Sequence, residues 1–75
     1  MTDNEKYLKE EQGEIKGRLS VISNHDILEL LLEHRNEYNE YRRRDDHITW
    51  TVEAEDIVRQ TYHMILNECL RRMGE

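Results

Sequence analysis

Four histidines, one cysteine and a surplus of carboxylates are the side chains of this 75-residue chain that could hold a metal or move a proton. Di-metal helical bundles place glutamate and histidine three residues apart on facing helices. Here the residue three before His34 is Leu31, before His63 Gln60, before His47 Arg44 and before His25 Ile22, so that pattern is missing. Cys69 has no partner at a recognised zinc spacing. Ser20 and Ser23 sit in no glycine-flanked elbow, and Cys69 falls in the middle of an apolar stripe, where burial would keep it a thiol. A phosphate-cradling glycine loop is missing too. These residues predict no enzyme, no cofactor and no metal. His34 lies on an apolar helical stripe, which predicts a partly buried, hydrogen-bonded ring with a structural or pH-sensing role.

The charge pattern says more. Asp26, Glu29, Glu33, Glu37 and Glu40 project within about a quarter turn of one another when placed at 100° per residue on a helix. Glu29 with Glu33 and Glu33 with Glu37 are like charges at i,i+4, each costing roughly 0.2–0.5 kcal/mol. Such a strip is either a solvated helix face or a surface that meets a basic partner, and Glu29, Glu33 and Glu37 are its expected partner-binding residues. "YRRRDDHITW", residues 41–50, sets three arginines near the single tryptophan in a chain of net charge -6. Arg42, Arg43 and Arg44 complement the negative end of a helix, and Glu40 can pair with Arg44. Trp50 either caps the open end of a bundle or stands exposed as a contact residue beside the arginines. An alternative reading makes this turn a nucleic-acid contact, with the arginines on phosphates and Trp50 or Tyr41 stacking on bases. The acidic balance argues against a broad basic footprint of that kind.

The elements that must position these residues are helices. Ser23 followed by Asp26 resembles a capping box, and Ile27, Leu31, His34, Tyr38 and Tyr41 then recur at spacings of four and three, predicting a helix to about Arg43. A second helix follows Thr49 or Thr51 as N-cap, with Val58, Tyr62, Ile65, Cys69 and Met73 as its stripe and Arg71 and Arg72 in its last turn. Glu55 with Arg59 and Glu68 with Arg72 are its expected i,i+4 pairs. Residues 1–20 keep a helical spacing through Leu8, Ile15, Leu19 and Ile22, with Thr2 and Glu5 as a possible capping box, but Gly13 and Gly17 weaken it. They form either a helix that needs docking or a charged flexible arm. "RLSVIS" and "HITWTV" are rich in β-branched residues and are expected as extended connectors.

The expected fold is therefore all-α: an antiparallel helical hairpin over residues 21–75 plus a weaker N-terminal helix over 1–20, forming a three-helix bundle in a single domain. A chain this short buries little core, and one cysteine allows no internal disulfide, so the extra burial is expected from the N-terminal helix folding over the hairpin, from the pairing of two chains, or from both at once. The hairpin helices are apolar beyond what each can hide against the other. Leu28, Leu32, Ile57, Met64 and Leu70 are expected to pair two chains into a dimeric bundle. No apolar run reaches the roughly 20 residues of a membrane span, and the N-terminus lacks the basic and apolar regions of a signal peptide. The expectation is a cytoplasmic, acidic homodimer that regulates, recruits or inhibits a protein partner.

Overall fold

The computed structural model describes residues 3–43 and 51–74, which form three helices: α1 (Asp3–Arg18), α2 (Asn24–Arg43) and α3 (Val52–Met73). Each carries acids in its first turn and bases in its last, the polarity that complements the helix dipole. Ser23 Oγ accepts from the Asp26 amide at 3.1 Å and starts α2. Thr51 Oγ1 accepts from the Ala54 amide at 3.1 Å and starts α3. Both caps satisfy amides that a helix leaves open at its first turn.

Residues 18–23 are not the extended connector that their β-branched content suggests. The amides of Val21 and Ile22 both donate to the Arg18 carbonyl, at 3.0 and 2.9 Å, and the Leu19 amide donates to the Ile15 carbonyl at 3.0 Å. These bonds use carbonyls that the end of α1 would otherwise leave unpaired, and this outweighs side-chain propensity in so short a reversal. The second expected connector lies mostly outside the described residues.

The core is arranged in two apolar layers. Leu8, Tyr41, Ala54, Ile57 and Val58 form one, with Tyr38 against it. Ile15, Ile27, Ile65 and Cys69 form the other, flanked by residues that include Leu31 and Met64. The pairing of Leu8 with residues 54–58 and of Ile15 with residues 65–69 makes α1 run parallel to α3. Tyr41 and Ile27 pair in the reverse order, so α2 runs antiparallel to both. The hairpin and the bundle thus form as expected, with α1 a helix that buries Leu8 and Ile15. Helix α3 is the central member and packs on both others, while the α1 and α2 backbones stay apart and are joined by side chains.

Between the layers the helices carry polar residues: Glu11 on α1, His34 on α2 and Thr61 on α3. Thr61 is buried, and its hydroxyl donates to the Ile57 carbonyl at 2.8 Å, so it asks nothing of its neighbours. Polar ties also close the two ends. Thr51 Oγ1 donates to Glu5 Oε1 at 2.6 Å and Asn4 Nδ2 donates to the Tyr41 hydroxyl at 2.9 Å. At the other end Arg72 donates to the Leu19 carbonyl at 2.9 Å and to Asn24 Oδ1 at 2.7 Å, clamping the α1–α2 turn. Glu68 holds Arg71 and Arg72, as its spacing predicts for Arg72, and these two guanidiniums keep its carboxyl at a pKa of about 2. Arg59, by contrast, takes Asp56 at 2.8 Å and not Glu55, because at i,i+3 the shorter aspartate meets it directly.

The glycines of α1 serve no packing purpose here. A Cβ at Gly13 or Gly17 would meet no atom within 4 Å, and neither has a positive φ. Gly13→Ala is therefore expected to stabilise by about 1 kcal/mol through helix propensity alone. Gly17 is next to the last residue of α1, so Gly17→Ala gains less. The first substitution should raise the melting temperature by about 4–8 °C in a domain of this size, as read by circular dichroism. A fall would show that α1 needs the missing side chain.

Candidate functional site

Among the described residues one face is apolar and uncovered. Helix α1 lies along the side of α3 that bears Ile57 and Met64, with Lys9 of α1 near both. Among the described residues the opposite flank of the α2–α3 pair has no third helix over it. Leu28 and Leu32 of α2 and Leu70 and Met73 of α3 each leave more than half their surface exposed there. Their helical positions place them on that single flank. Between Leu28 and Met73 opens a groove of about 200 Å³ floored by Ile27 and Cys69. Asn24 and Arg72 form its polar edge.

Of the five residues expected at a chain–chain interface, Leu28, Leu32 and Leu70 lie on this open flank. The other two are corrected by the structure. Ile57 is buried inside the chain, and Met64 is half-buried against the layer around Ile65, because α1 covers their side of α3. The wheel projection correctly finds α3 too broad for one neighbour; α1 takes one flank and leaves the other bare.

The acidic strip divides in the same way. Asp26, Glu29, Glu33 and Glu40 are exposed, whereas Glu37 leans into the seam between α1 and α2 and is half-buried. There it meets His34, with 3.6 Å between Glu37 Oε2 and His34 Nδ1. On the other side of the ring Glu11 Oε1 of α1 lies 3.4 Å from His34 Nε2. His34 is 5% exposed, and burial pushes its pKa down against the opposing pull of Glu11 and Glu33. Burial, with the charges of Glu11 and Glu40, pushes the Glu37 carboxyl up. The charge of Glu11, and its acceptance of a hydrogen bond from the Tyr7 hydroxyl, raise the Tyr7 pKa. Glu11, His34 and Glu37 bring ligand-type atoms within 4.8 Å of one another. A search for glutamate three residues before histidine misses this group. His34 precedes Glu37 by three, and Glu11 arrives from a helix whose docking only the fold reveals.

At the far end of α2, Arg42 and Arg43 are exposed, and the Arg42 guanidinium lies 5.8 Å from the centre of the Tyr38 ring. Arg44 and Trp50 lie outside the described residues. Tyr41 is not the stacking platform that the nucleic-acid reading asks for. It is 5% exposed and packed on Leu8 and Ala54, since its place on the apolar stripe commits the ring to the core. Cys69 is buried, and burial raises its thiol pKa. No helix among the described residues is long and apolar enough to cross a membrane. No family model, curated protein or solved structure matches this chain.

Proposed function

We propose that the protein acts without catalysis, by protein–protein binding, as a pair of identical chains in the cytoplasm. The observation that carries this reading is the bare α2–α3 flank, where Leu28, Leu32, Leu70 and Met73 are exposed together. A small bundle that leaves such a surface to water forgoes burial worth roughly 25 cal/mol per Å². A second copy related by a two-fold axis covers it with the same residues, which is the commonest symmetry of small assemblies. Pairing on this flank leaves the exposed carboxylates of Glu29 and Glu33, on another side of α2, free to meet a basic protein surface. The lone cysteine, buried as a thiol, suits a reducing compartment.

Sedimentation velocity at micromolar concentration should show a species of twice the chain mass. Leu28→Asp combined with Leu70→Asp should return it to a single chain with its helical circular dichroism intact, because both side chains lie outside the core. A wild-type chain that stays single at these concentrations ends the pairing proposal. For the partner, Glu29→Gln with Glu33→Gln should weaken capture of a basic protein while leaving the pair intact. A captured partner that binds the variant equally well removes the role of the acidic strip.

A further inference from the structure

The Glu11–His34–Glu37 group joins two helices whose backbones do not approach each other. Both ring nitrogens of His34 face a carboxylate oxygen. A neutral imidazole has one N–H, so one of its two nitrogens presents a lone pair to an anion. At 3.4 and 3.6 Å both contacts are longer than a well-formed N–H···O hydrogen bond. Among the described residues no lysine or arginine pairs with Glu11 or Glu37, and the charges acting on the group come from further glutamates. The nearly buried histidine thus stands between two half-buried carboxylates, a donor set of one imidazole and two carboxylate oxygens.

We propose that Glu11, His34 and Glu37 form a binding site for a divalent transition-metal ion of the zinc class, bridging α1 and α2 in the polar layer of the core. The spacing supports it. Two ligands of a tetrahedral zinc ion at about 2.0–2.1 Å are about 3.3–3.4 Å apart, the edge of the tetrahedron. The separation of Glu11 Oε1 from His34 Nε2 is 3.4 Å. Glu37 has its oxygen beside the opposite nitrogen, where it can accept the Nδ1–H and fix the tautomer that leaves Nε2 free for the metal. One donor atom from each of the three residues lies within 4.8 Å of the others. One imidazole with carboxylates selects zinc-like ions over magnesium or calcium, which favour all-oxygen shells. An ion held from both helices ties α1 to α2 directly, where their backbones make no contact.

The test is calorimetric titration of the full chain with zinc chloride after treatment with chelator. Wild-type protein should bind one equivalent saturably, and the melting temperature should rise with zinc and fall back with EDTA. Glu11→Gln, at a partly exposed position that leaves the core untouched, should weaken binding at least about tenfold, the lower end of what losing a supporting group of a metal ligand costs. His34→Gln should abolish it. If His34→Gln does not fold, the Glu11 variant carries the result alone. Glu29→Gln, in the exposed His25–Asp26–Glu29 group, is the control and should bind as wild type. Unsaturable binding, unchanged affinity in Glu11→Gln, or loss of binding in Glu29→Gln would overturn the proposal. So would displacement of zinc by an equal concentration of magnesium.

Discussion

Replacing Ile65 with alanine should destabilise the protein by about 3–4 kcal/mol, within the range of about 2–5 kcal/mol for emptying a core isoleucine. Ile65 has no exposed surface and stands where all three helices meet, with Ile15 of α1, Ile27 of α2 and Cys69 of its own helix around it. Because α3 is the element on which both others pack, a void there withdraws support from α1 and α2 together. A domain of ordinary stability holds about 5–15 kcal/mol in total, and a chain this short belongs at the low end. Urea titration followed by circular dichroism should therefore show one cooperative transition moved to much lower denaturant, with all helical signal lost together. Separate loss of α1 before the rest would contradict a shared core. Leu70→Ala on the same helix, more than half exposed, should cost far less in a single chain.

The features legible in the sequence are those set by neighbours along the chain. Ser23 and Thr51 cap α2 and α3 because a hydroxyl needs only the amide three residues ahead, and spacing alone displays that. The stripe through Ile27, His34 and Tyr41 is buried as its period requires. Legibility fades where the partner lies far along the chain. The projection shows that α3 is too broad for one neighbour, yet it cannot say which flank α1 will take, and so Ile57 and Met64 fall inside while Leu28 and Leu70 stay out. Gly13 and Gly17 weaken the local signal of α1, whose helix is secured instead by Leu8 and Ile15 reaching separate layers of the core. His34 is readable as a buried histidine. Its two carboxylates are not, since Glu11 lies on another helix and Glu37 belongs, by period alone, to the outward acidic strip.

Thr51→Ala should cost about 2–4 kcal/mol, more than a helix cap alone. The side chain accepts the Ala54 amide and so starts α3, a role whose loss typically costs about 1 kcal/mol. The same hydroxyl donates at 2.6 Å to Glu5 of α1, which is 7% exposed, and a hydrogen bond to a charged group contributes about 1.5–3 kcal/mol. One oxygen thus starts one helix and fastens another to it. Thr51→Ser keeps both bonds and should stay within a few tenths of a kcal/mol of wild type. Thr51→Asp separates the two roles: aspartate is an equally good cap, but it has no hydrogen to donate and sets a second carboxylate against Glu5. If capping were the whole effect, the aspartate variant would be as stable as wild type at neutral pH. The geometry predicts instead that it is at least as unstable as the alanine variant. It should recover part of the loss when Glu5 is also changed to glutamine, whose amide can donate to the new carboxylate. Thermal melts of these four variants and of Glu5→Gln alone at one pH decide between the two accounts, because a bond between α1 and α3 makes the Thr51 and Glu5 substitutions depend on each other.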